Sequence, residues 1–312
     1  MITFAGAYTA LITPFCDDGT KVDLGRLGNQ VAFQAQGGVR GIVPCGTTGE
    51  APTLAEHEHA AVIECAVSTG RPLGLQIVAG AGSNSTAQAI HLHRLAASLG
   101  AHAALQVTPY YNKPSQEGLY RHFMAIAESA ELPIVLYNIP GRAAVTLLPE
   151  TVERLAKHPN IVAIKEATGS MDSASEIHRR CSIAILSGDD SLTASFAAVG
   201  AVGVVSVVSN LVPDRVARLC HDIASGDLHA LRRSHESLFG LSRGLLALDV
   251  NPVPLKCAMA ILERDTGAVR LPLVRASEQV RAAIESLLRE AKVSGNTDSL
   301  ERSKLRETSA TS

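Results

Sequence analysis

Short runs of β-branched and aliphatic residues recur along the chain, separated by amphipathic stretches. The runs cover residues 8–13, 41–45, 73–79, 103–108, 134–138, 161–165, 183–187 and 202–207, and each has the length and composition of a buried strand. The intervening segments carry helix signals. Residues 30–36 close on Gly37-Gly38, a C-terminal cap. Thr53 precedes Glu56 with the spacing of a capping box, and Pro149 opens a helix predicted to run to His158. Eight strand–helix units predict a parallel sheet with right-handed crossovers, the count of a (β/α)8 TIM barrel, over residues 1–225. A doubly wound open sheet is the alternative, and eight units without a long break favour closure.

Beyond residue 225 the strand pattern stops. Helical periodicity over 227–248, 254–263 and 274–292 predicts a C-terminal helical extension, 226–292, packed on the barrel. The last stretch, 293–312, is polar and is expected to be disordered. One segment, 192–212, is uncharged and long enough to span a bilayer. Gly200 and Gly203 divide it into an alanine-rich half and a β-branched half, so it reads as a helix followed by a buried strand, not a membrane span.

Charge and cysteine content narrow the function classes. Lys and Arg (28) nearly balance Asp and Glu (30), so no broad field attracts nucleic acid or an anionic membrane. The six cysteines are scattered without a CxxC pair and read as reduced core thiols. The N-terminal MITFAGAYTALITPF lacks the basic opening of a secretory signal, so a cytoplasmic protein is expected.

The chemistry gathers at the strand ends, where barrels carry their sites. GTTGE (46–50) follows the second strand, TPYYNKP (108–114) the fourth, YNIPGR (137–142) the fifth, Lys165-Glu166 the sixth and SGDD (187–190) the seventh. Alone, Lys165 reads as a strand end reaching water. At a closed barrel mouth a lysine is partly desolvated, which favours the neutral amine. Such an amine attacks a carbonyl to give a Schiff base, an electron sink. GTTGE offers turn N–H groups and hydroxyls suited to a small carboxylate, or equally a capped helix start. Tyr110, Tyr111 and Tyr137 are three of only five tyrosines and are candidate proton relays or packed aromatics. Arg142 is a candidate carboxylate clamp or a solvated loop charge. His57/His59 and His91/His93, two apart on helices, point in different directions and do not make a metal pair; no metal is expected. GAGSNSTAQ (80–88) lacks the P-loop lysine and dinucleotide spacing and reads as a turn and helix cap.

Taken together and in order, GTTGE, TPYYNKPSQEG, LYNIPGR, IKEATG and LSGDD resemble the 4-hydroxy-tetrahydrodipicolinate synthase (dihydrodipicolinate synthase) family of lysine biosynthesis, over about residues 4–292. The resemblance implies a class I aldolase-like barrel in which Lys165 forms a Schiff base with pyruvate beneath the Tyr137 phenol. It implies that Thr47 links Tyr137 to Tyr111, which enters the neighbouring subunit's site. Thr48 matches the residue holding the pyruvate carboxylate, and Arg142 the one receiving the carboxylate of aspartate semialdehyde. Gly188 and Val205 match pocket residues that act through backbone groups. No cofactor is implied, and the family is usually a tetramer of tight dimers. A sister lyase, such as N-acetylneuraminate lyase or a 2-keto-3-deoxy sugar acid aldolase, shares the lysine and tyrosine, but Arg142 and Tyr111 favour the synthase. A non-catalytic anion-binding barrel would not need Lys165, Tyr137 and Tyr111 together.

Lysine-inhibited relatives bind the end product through residues matching His59, Asn84 and Tyr110. This chain has Gln88 where they have an acidic residue, Ala51 where they have serine and Glu56 where they have histidine. Lysine inhibition is therefore expected to be weak or absent.

Overall fold

The computed structural model describes residues 3–294. Eight parallel strands close a barrel in sequence order: β1 (Gly6–Ala10), β2 (Gly41–Val43), β3 (Gln76–Gly80), β4 (Ala103–Val107), β5 (Ile134–Asn138), β6 (Ile161–Glu166), β7 (Ala184–Ser187) and β8 (Gly203–Ser206). β8 returns to pair with β1, with Tyr8 opposite Val205. The strands read as continuous apolar runs because both their faces are buried, one in the barrel and one under helices. The helices after the strands are α1 (Leu24–Gln36), α2 (Glu56–Gly70), α3 (Thr86–Ser98), α4 (Gln116–Ala127), α5 (Pro149–Leu155), α6 (Met171–Arg180), α7 (Thr193–Ala198) and α8 (Pro213–Ser225).

Local sequence accounts for most helix starts. Asp23, Ser85, Ser115 and Ser170 each accept from a backbone N–H of the first turn of their helix. The glycine-rich stretch before α3 is thus the predicted turn and cap. The predicted capping box is not formed by Thr53 and Glu56. Thr53 ends a short 3-10 turn, and α2 instead starts with Glu58 Oε2 accepting from Ala55 N–H at 3.0 Å. Threonine at 53 is used earlier, its hydroxyl donating to Glu50 O at 3.0 Å. The helix opened by Pro149 ends at Leu155, three residues short of His158.

The uncharged segment 192–212 resolves into α7 and β8, and among the described residues no single helix is long and apolar enough to cross a membrane. All six cysteines are free; Cys45, Cys220 and Cys257 are buried, whereas Cys16, Cys65 and Cys181 are half-buried, so the core-thiol expectation holds for three of them.

Three helices follow the barrel: α9 (Leu228–Leu248), α10 (Val253–Ile261) and α11 (Glu278–Glu290). The extension shares its core with the barrel, since Leu241, Leu245, Leu255, Met259 and Ile284 lie in one apolar cluster with Leu11, Val43 and Val208. α10 is buried along almost its whole length. It brings Lys256 under the loop after β2, where Lys256 Nζ donates to Glu50 Oε1 at 2.7 Å and to Thr13 O at 2.8 Å.

Candidate active site

The loop after β2 forms a tight turn whose outer amides close on themselves. The N–H groups of Gly49 and Glu50 donate to Gly46 O and Thr47 O, both at 3.1 Å, whereas those of Thr47 and Thr48 have no partner among the described residues. The turn is clamped from below. Thr13 Oγ1 donates to Gly49 O at 2.7 Å, and the Glu50 carboxylate takes Lys256 on one oxygen and Arg270 N–H on the other at 3.0 Å. Gly80 allows the turn to sit this low, because a Cβ there would stand 2.0 Å from Cys45 O. The helix-start alternative for GTTGE is set aside: Glu50 adopts a left-handed conformation with φ 53° and leads into the 3-10 turn Ala51–Thr53.

A cavity of about 410 Å³ opens at this mouth, lined by Thr47, Tyr137 and Arg142 among others. Tyr137 and Lys165 are register partners at the ends of β5 and β6. Both are buried, and Lys165 Nζ lies over the Tyr137 ring, 4.1 Å from its centroid. The amine is thus set against the face of the ring. Among the described residues Lys165 forms no salt bridge, unlike Lys256, the other buried lysine, which is held by Glu50. The Asp189 carboxyl is raised by burial and pulled back down by the charge of Lys165.

Thr48 and Arg142 are joined through Asn251, in the turn before α10. Asn251 Nδ2 donates to Thr48 Oγ1 at 3.0 Å, and Asn251 O accepts from Arg142 Nη2 at 3.3 Å. A hydroxyl that accepts from an amide keeps its own proton to donate. Gly188 is required by packing, since a Cβ would meet Ala167 Cβ at 2.5 Å. Its N–H donates to Glu166 O at 2.7 Å, so its carbonyl is the group it can offer a ligand. Val205 is buried on β8.

Tyr111 stands apart: it is 88 % exposed, adopts φ 76°, and its hydroxyl has no hydrogen bond among the described residues. His59, Gln88 and Tyr110 line the same cavity, together with Glu56. Asn84 is behind it, donating to Tyr110 O at 3.1 Å. Glu56 is already engaged with His91 Nε2 at 2.9 Å.

The profile of the dihydrodipicolinate synthetase family matches residues 3–291. The chain belongs to this family. It is 48 % identical over 290 residues to the 4-hydroxy-tetrahydrodipicolinate synthase of Pelobacter propionicus, covering 92 % of this chain and 98 % of that one. The dihydrodipicolinate synthase of Acinetobacter baumannii, solved in complex with pyruvate, superposes with a TM-score of 0.89 at 39 % identity, covering 93 % of this chain and all (100 %) of the other. A monomeric dihydrodipicolinate synthase variant superposes with a TM-score of 0.90 at 37 % identity, covering 93 % of this chain and 97 % of that one.

Sequence reasoning gave no role to four residues around this site, although Asn138 and Glu166 fall within the strand-end motifs it singled out. Lys256 carried a usable signal, an ionisable residue inside the apolar run VPLKCAMAI, the same anomaly that exposes Lys165. Asn251 carried none, because its partner Thr48 is 203 positions away. Asn138 and Glu166 flank the two central residues, but their pairing depends on strand register.

Proposed function

We propose that the protein condenses pyruvate with L-aspartate 4-semialdehyde to give 4-hydroxy-tetrahydrodipicolinate, in lysine and diaminopimelate biosynthesis. The observation that carries this reading is the buried Lys165 amine, in no salt bridge among the described residues, set against Tyr137 beside a cavity lined by Thr47 and Arg142.

In the first stage the Lys165 amine adds to the pyruvate carbonyl and water leaves, giving an iminium. The free amides of Thr47 and Thr48 and the Thr48 hydroxyl suit the pyruvate carboxylate. Loss of a methyl proton then gives an enamine, the iminium nitrogen taking up the electron pair. In the second stage the enamine carbon attacks the aldehyde, whose oxygen takes a proton, while Arg142 receives the second carboxylate as a bidentate clamp. In the third stage the substrate amine adds to the iminium carbon and expels the Lys165 amine, closing the ring and restoring the enzyme. The lysine supplies the electron sink, so the cycle draws on no cofactor. Protons pass between Tyr137, Thr47 and Tyr111.

Tyr111 is too exposed in one chain to serve its own relay, so it serves the site of a second copy. The working form is then a homo-oligomer, at least a dimer, with a tetramer of two dimers as the fuller reading, in the cytoplasm. Assay of the purified protein with pyruvate plus L-aspartate 4-semialdehyde, beside N-acetylneuraminate, tests the substrate. Turnover of the first pair supports the reading, and cleavage of N-acetylneuraminate alone would replace it with the sister lyase.

A further inference from the structure

Neighbouring residues on a strand point to opposite faces. The register that sets Tyr137 beside Lys165 inside the barrel therefore sets Asn138 beside Glu166 on its outer side. Both are fully buried there. Asn138 Nδ2 donates to Glu166 Oε2 and to Leu147 O, both at 3.0 Å, and Asn138 Oδ1 accepts from Leu147 N–H at 2.9 Å. Glu166 Oε1 accepts from Thr168 N–H at 3.0 Å. The backbone repeats the connection, with Ala167 N–H donating to Asn138 O at 2.9 Å and Gly188 N–H to Glu166 O at 2.7 Å.

The pair is costly where it stands. Burial pushes the Glu166 carboxyl up, against the hydrogen bonds from Thr168 and Asn138 that favour its charged form, and no salt bridge reaches it among the described residues. Apolar side chains of similar volume would fill such a space without the desolvation cost. What the polar pair adds is geometry. One amide ties together the end of β5, the end of β6 and the far end of the loop 139–147 that carries Arg142.

Resting on the Schiff-base reading above, we propose that Asn138 and Glu166 are positioning residues. Their mutual bond locks the ends of β5 and β6 so that Tyr137 stands over Lys165, and the Asn138–Leu147 bonds hold the Arg142 loop. Neither residue touches substrate. Glutamine at 166 supplies one acceptor oxygen where two are used, so either Asn138 or Thr168 loses its partner.

The test compares the parent protein with Glu166→Gln and Asn138→Ala. Exhaustive borohydride trapping with pyruvate counts competent sites, and kcat is expressed per trapped site. A loss of stability alone then leaves kcat unchanged. Displacing a reacting group by about 1 Å costs on the order of 10²-fold. The expectation for Glu166→Gln is a kcat roughly 10–10²-fold lower with KM for pyruvate within about threefold of the parent. Asn138→Ala is expected to add a raised KM for the semialdehyde, because it also frees the Arg142 loop. If Glu166→Gln does not accumulate folded, Glu166→Asp carries the test, with an intermediate loss of kcat expected. A kcat per trapped site within about twofold of the parent in the folded variant overturns the proposal. Absence of a Lys165 adduct in the parent overturns the Schiff-base reading instead.

Discussion

Lys165 Nζ lies 4.1 Å from the centroid of the Tyr137 ring, and the two residues are direct partners across β5 and β6. The ring shields one side of the amine, and the strand register, a backbone property, fixes the pairing. Lys165 and Tyr137 are thus positioned by the sheet itself, whereas Thr47, Thr48 and Arg142 come from loops.

Arg142 is exposed, and its side chain makes one hydrogen bond among the described residues, to Asn251 O at 3.3 Å. Arg142→Ala is expected to fold normally and to trap pyruvate as the parent does. A charge-assisted hydrogen bond is worth about 1.5–3 kcal/mol, so kcat/KM for the semialdehyde should fall roughly 10–10²-fold. Steady-state kinetics with each substrate varied decide it. An equal loss toward pyruvate would place Arg142 in the pyruvate site or the fold.

Burial depresses His93 and His122 to about 4, and both rings lie between α3, β4 and α4 beside Gln106 and Thr86. A histidine whose folded value is lowered contributes stability that is present above its unfolded value, about 6.5, and lost as pH falls toward 4. By pH 5 each should have cost about 2 kcal/mol. Urea midpoints at pH 7 and pH 5 check this, and His122→Gln should show a smaller drop between them. The same drop in parent and variant would show that His122 does not titrate with unfolding.

Feedback by L-lysine is expected to be weak or absent. Gln88 offers a lysine ammonium an amide oxygen without charge, and charge-assisted bonds are roughly twice as strong. Glu56, the nearby carboxylate, is already shared with His91. Turnover measured against rising L-lysine should stay near its starting value, and strong inhibition at sub-millimolar lysine would contradict the reading of Gln88.

The barrel was legible because parallel strands buried on both faces leave unbroken apolar runs, as in residues 134–136. Strand ends were legible as chemistry wherever a charged or hydroxyl residue interrupted such a run, as at Lys165. What was hidden depends on distance or register. The Asn251–Thr48 contact joins the C-terminal extension to the β2 loop, and the Asn138–Glu166 pair appears only once β5 and β6 are aligned. The start of α2 was misread because Thr53 serves a preceding turn, leaving Glu58 to reach back to Ala55.

The central claim is that Lys165 is the residue that takes pyruvate. Incubation with pyruvate and borohydride, followed by peptide mass spectrometry, reads it directly, because reduction fixes the iminium as a stable amine. The adduct is predicted on the peptide containing Lys165 and not on that containing Lys256, whose amine is enclosed by Glu50 and Thr13. An adduct on any other lysine, or none, would contradict the account.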